Sequence, residues 1–155
     1  TEASVVETAP PVVSTGRLLL TVGGSGAVRV RVLGRKMWIE QVDLAIDCGL
    51  AVHPERIRSQ MEGSVVFGIS LAMMGKATMK KGAVEQSNFH DAPVARITDA
   101  KPKINVSLIQ SDAPPGGVGE PGVPPFAPAL CNALFAATGK RIRSLPINEY
   151  DLAEA

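Results

Sequence analysis

Glu120 lies inside PPGGVGEPGVPP, residues 114–125, between prolines at 114, 115, 121, 124 and 125 and glycines at 116, 117, 119 and 122. Each proline holds φ near −65° and removes a backbone donor. Each glycine lets another backbone or a ligand come close, because no Cβ stands in the way. The loop is therefore expected to be stiff and narrow, with the apolar Val118, Val123 and Phe126 around its one carboxylate. A carboxylate fixed in such a place suits a general base, which takes up a proton from a reacting group set against it. The ordinary alternative is a solvated, inert turn glutamate, and the flanking residues weigh against it.

Other candidates for chemistry are weaker. Gly117-Val118-Gly119-Glu120-Pro121-Gly122 formally matches G-x-G-x-x-G. That fingerprint needs a strand before it and a helix opening inside it. Here Pro114 and Pro115 precede it and Pro121 removes an amide, so a nucleotide-binding loop is disfavoured. His53 and His90 are the only histidines, and neither has a partner at metal-ligand spacing. Cys48 and Cys131 form no disulfide framework or metal motif and read as small apolar side chains. No residue is assigned as a metal ligand.

These residues need elements to position them. Residues 1–16, with Pro10 and Pro11, read as a linker or disordered arm. GRLLLTV and AVRVRVL flank Gly23, Gly24 and Gly26, which predicts a β-hairpin. Val28, Val30 and Val32 alternate with Arg29 and Arg31, the period of a half-buried strand. KMWIEQVDLAID continues as a strand to Asp47. A long helix is predicted to begin at Pro54, where a missing N–H costs nothing, and to stop at Gly75. Its Ile57, Met61, Val65, Ile69 and Met73 recur at i+4, while Phe67, Leu71 and Met74 widen the stripe. Such a helix belongs in the middle of a structure. Gly63 and Gly68 weaken it by about 1 kcal/mol each, so close packing is expected there.

A hairpin turning at Lys81-Gly82, a half-buried strand through Ile104, Val106 and Leu108, and a helix ending at Gly139 complete the pattern. The order predicts an α+β fold, a mixed or antiparallel sheet packed against two main helices. Aromatics are 4% of the chain, so the core must rest on aliphatic side chains. Sixteen basic residues against fifteen acidic give a net charge of +1, which points to no nucleic-acid partner. The longest apolar run, Val65 to Met74, falls far short of the roughly 20 residues of a membrane span.

AIDCGLAVHPERIRSQMEGSVVFGISLAMMG, VEQSNFHDAPVARI and PPGGVGEPGVPPFAPALCNALFAATGKRIR together resemble the C-terminal part of the large subunit of molybdenum hydroxylases. This is the xanthine oxidase and aldehyde oxidoreductase superfamily, and its most similar branch is that of the isoquinoline 1-oxidoreductase β-subunits. The resemblance runs from about Val28 to Ile147, with Gln60-x-Glu62-Gly63 and Gly119-Glu120-Pro121 as its specific anchors. It implies that residues 17–147 are the C-terminal part of a molybdopterin-binding domain, followed by a tail at 148–155.

The resemblance also implies an activity. Such enzymes hydroxylate an electron-poor carbon of an N-heterocycle or an aldehyde with oxygen derived from water. Glu120 matches the catalytic glutamate, a general base, and Gln60 a glutamine that hydrogen-bonds the cofactor. Gly117 and Gly119 would let the loop approach it. The implied cofactor is a molybdenum–pterin, as molybdopterin cytosine dinucleotide, shared with the remainder of the large subunit. Electrons would leave through [2Fe–2S] clusters of an iron–sulfur small subunit. The family's large subunit is several times longer, so the isolated chain is expected to be inactive. A non-catalytic assembly or interaction module of the same fold, without the cofactor, is the alternative. Bacterial cytoplasm and periplasm are equally compatible with the sequence.

Overall fold

The computed structural model describes residues 12–19 and 24–152, apart from 97 and 100. The elements run β1 (Val12–Leu19), β2 (Gly24–Leu33), β3 (Lys36–Ile46), α1 (Pro54–Met73), β4 (Met79–Lys80), β5 (Ala83–Val84), β6 (Lys103–Leu108) and α2 (Phe126–Thr138). A 3₁₀ turn follows at Ile147–Glu149. Four strands form one sheet in the order β1-β2-β3-β6, and β4 and β5 form a separate hairpin. β1–β2 and β2–β3 are antiparallel, whereas β6 lies parallel to β3. A parallel pair needs a crossover, and α1 lies within it.

One face of the sheet is the core. Val28, Val30 and Val32 on β2 and Val42, Leu44 and Ile46 on β3 are buried, while Arg29 between them is exposed. α2 packs over β1 and β2, and α1 packs against β6 and α2. The expected α+β arrangement, a mixed sheet on two helices, is what the chain forms.

α1 begins at Pro54 with Glu55 in its first turn, and Ile57, Met61, Val65 and Ile69 are buried. Gly68 is where α1 meets α2: an added Cβ would stand 2.9 Å from three atoms of the Phe126 side chain. Gly63 differs from expectation, because an added Cβ there meets nothing within 4 Å among the described residues. Phe126, 1% exposed, anchors α2. Burying a side chain of that size is worth about 1.5–3 kcal/mol. α2 ends at Gly139, whose φ of 71° is a left-handed value that favours glycine. The β4–β5 turn falls at Lys81 and Gly82, with φ of 50° and 81°, as a two-residue hairpin requires.

The chain's two ends also differ from the sequence reading. β1 starts at Val12, inside the stretch read as an arm, and residues 1–11 of that stretch lie outside the described ones. Gly24 and Gly26 belong to β2 rather than to a turn, pairing with Ile46 and Leu44, and Gly23 lies outside the described residues. Gly26 is needed for space, since a Cβ would approach Leu44 Cδ2 to 3.2 Å and Pro125 Cβ to 3.7 Å. Residues 148–152 of the expected tail are docked: Leu152 is buried, Glu149 pairs with Lys76 at 2.5 Å and Asp151 with Arg35 at 3.1 Å. Among the described residues no helix is long and apolar enough to cross a membrane.

Candidate functional site

The proline–glycine loop is tied down at both ends. Upstream, Leu50 N–H donates to Ala113 O at 2.9 Å and Gly116 N–H donates to Cys48 O at 2.7 Å. Gly49 makes this possible: its φ is 70°, and a Cβ would stand 2.2 Å from Pro114 O. Downstream, Val123 N–H donates to Glu120 O at 2.9 Å, closing a turn with Pro121 at its second position. Proline pre-sets φ there. Gly122 follows without a positive φ, so its role is space. An added Cβ would lie 2.0 Å from Ser64 Oγ and 3.2 Å from Met61 Sδ. The loop thus rests directly on α1, one turn after Gln60.

Between loop and helix lies a cavity of about 270 Å³, whose walls include His53, Arg56 and Gln60 on one side and Pro115, Gly116 and Val118 on the other. Gln60 and this loop are far apart in sequence, and the fold brings them to one concavity. Arg56 and Gln60 stand at i and i+4 on α1, a spacing that puts both on one helix face. Sequence reasoning misses Arg56 and finds in His53 only a histidine without a partner at metal-ligand spacing. Their positions, one and two turns before Gln60, are the signal that could have found them.

Glu120 is exposed and does not line the cavity. The expectation that the apolar Val118, Val123 and Phe126 would stand around its carboxylate needs correction. Phe126 points into the core and the two valines are half-buried, so this chain alone leaves the carboxylate in water. Gly117 and Gly119 are also open, with nothing among the described residues within 4 Å of an added Cβ. The loop's tip therefore presents bare backbone on the side where a bulky group could lie.

The remaining candidates sit elsewhere. His90 is exposed beside Asp91 at 3.6 Å. Cys48 is buried, and partial burial pushes the Cys131 thiol up. Among the described residues no three His, Cys, Asp or Glu side chains are grouped to hold a metal ion.

The sequence pattern of the family described as Molybdopterin cofactor-binding domain matches residues 24–101, half of the chain, and that span holds Gln60. The chain belongs to this family. The chain is 38% identical over 109 residues to the beta subunit of isoquinoline 1-oxidoreductase from Brevundimonas diminuta, covering 70% of itself and 14% of that protein. It is 32% identical over 110 residues to a nicotinate dehydrogenase subunit of Pseudomonas putida, covering 70% of itself and 9% of that protein. Quinoline 2-oxidoreductase from Pseudomonas putida 86 shares the fold, with a TM-score of 0.71 at 18% identity, over 80% of this chain and 17% of that one. The resemblance to molybdenum hydroxylases, with its isoquinoline 1-oxidoreductase branch, therefore holds. The chain spans about one seventh of the isoquinoline enzyme's beta chain.

Proposed function

We propose that this chain is a catalytic segment of a molybdenum hydroxylase large subunit. In the complete enzyme it would act on an electron-poor carbon of an N-heterocycle or an aldehyde, adding oxygen derived from water. The observation that carries this reading is the cavity walled by Gln60 on α1 and by the glycine–proline loop. The residues present fit a molybdenum–pterin. Gly117 and Gly119 leave open space at the loop's tip, and Gln60 offers an exposed amide with both a donor and an acceptor. When bound, the group supplies Lewis-acid activation of water and takes up electrons.

The chain's own contributions follow from its geometry. Gln60 orients the cofactor by a hydrogen bond from its side-chain amide. The backbone at Gly117 and Gly119 permits close approach without a clash. Glu120 receives the proton at its carboxylate oxygen, held in place by the turn that its own carbonyl closes with Val123 N–H at 2.9 Å. The remainder of the large subunit would complete the enclosure, with the cofactor as its cytosine dinucleotide. An iron–sulfur small subunit with [2Fe–2S] clusters would carry electrons away. Isoquinoline and nicotinate in two relatives' names are N-heterocycles, and a third relative is named an aldehyde dehydrogenase, so the proposal takes in both substrate classes.

Replacing Glu120 by Gln in the complete enzyme tests the assignment. The expected result is unchanged molybdenum content with turnover lowered about 10²–10⁴-fold, the usual worth of a general base. Near-normal turnover removes the role. Absence of molybdenum from the wild-type complex would instead favour the non-catalytic module.

A further inference from the structure

α1 leaves one face bare. Val66, Phe67 and Leu71 are 49%, 57% and 41% exposed, and Gly63 is exposed beside them. Residues 63, 67 and 71 stack one above another on a helix, with 66 alongside. None carries a charge. Gln60 precedes Gly63 by three residues, so the face runs on from the cavity for roughly 16 Å of helix at 1.5 Å per residue. Scattered single apolar residues on a surface are normal, whereas a contiguous apolar stripe marks a contact. Gly63 adds to this. Among the described residues nothing lies within 4 Å of a Cβ built there, so its smallness serves no packing among them. Glycine inside a helix still costs about 1 kcal/mol relative to alanine.

Resting on the function proposed above, we infer that the Gly63–Val66–Phe67–Leu71 face seats an apolar segment of the remainder of the large subunit, with Gly63 as the point of closest backbone approach. Three observations select this occupant. The chain spans 14% of the isoquinoline enzyme's beta chain and 17% of the quinoline enzyme's chain, so most of such a protein lies outside it. The face is continuous with the cavity through Gln60, so a segment seated on it reaches the edge of the site. Gln60 and Glu120 are both exposed among the described residues, and a second copy of this chain would bring only a second exposed site.

Hydroxyl-radical footprinting of the complete, unmodified large subunit with its partner reads the face directly. Phe67 is expected to be oxidised at least tenfold more slowly in the native assembly than after unfolding in urea. Oxidation of Phe67 and Leu71 at the unfolded rate overturns the inference. Protection that vanishes when the assembly is diluted into single large subunits assigns the face to the partner subunit or a second copy, and overturns it too. A Phe67→Cys variant, labelled with maleimide and mapped by mass spectrometry, is expected to give the same protection. Molybdenum content measured on the same preparation keeps the two ideas separable. Protection without molybdenum upholds the seat and removes the cofactor reading, while bound molybdenum with Phe67 unprotected does the reverse.

Discussion

A methyl group at position 122 would have to share space with the Ser64 hydroxyl, which lies 2.0 Å from where its carbon would sit. Ser64 can turn away only by giving up its 2.7 Å bond to Met61 O, and Ser64 Cβ at 3.0 Å would still crowd the newcomer. Gly122→Ala is therefore expected to cost about 1–3 kcal/mol, the usual penalty of overpacking. Thermal melts check this, and Ser64→Gly in the same background should restore part of the loss. Asp91 offers a pH-dependent case. Its carboxylate accepts the N–H groups of Asn88 and Ser87 at 2.9 and 2.8 Å and the Ser87 hydroxyl at 3.0 Å. The Asn88 amide first, then Ser87, holds its pKa below the ordinary 3.8. The turn's added stability is then fully present above 3.8 and fades as pH falls through the lower folded value. An NMR titration of the Asp91 carboxyl should have its midpoint below 3.8, and Asp91→Asn should abolish the pH dependence of the Ser87 and Asn88 amide shifts.

Two glycines on α1 make opposite predictions. At position 68 an alanine meets the Phe126 ring at 2.9 Å, inside the contact between α1 and α2. Gly68→Ala should lower stability by about 1–3 kcal/mol through overpacking. Gly63→Ala, judged by the contacts of this chain alone, should raise it by about 1 kcal/mol through helix propensity. Denaturant titration of both variants separates the cases, and equal effects would contradict the packing described here. Sequence alone marks both glycines as costly without telling them apart, because what a helix face meets depends on a distant segment. Signals of short range do better. Pro54 marks the start of α1, Lys81-Gly82 the hairpin turn and Gly139 the end of α2, since each acts through its own φ or missing donor. The alternation of Val28, Val30 and Val32 likewise reveals the buried face of β2.

The whole molecule holds what no local pattern encodes. Ile104, Val106 and Leu108 announce a strand, but alternation carries no sign of direction, and the parallel register on β3 comes from the crossover through α1. The candidate site is legible as composition: the glycines and prolines around Glu120 predict a constrained loop, and Gly116 and Gly122 are fixed as that reading requires. Enclosure of the carboxylate is not legible, because the apolar neighbours in sequence turn into the core or lie only half-buried. The same two fixed points have a mechanical consequence. Residues 117–121 form a short arch between rigid footings, with Pro121 stiffening one side. An arch so short has little slack, so the reach of Glu120 is set by its side-chain torsions. An aspartate in its place would stand one methylene back, and the main chain could not advance to make up the difference.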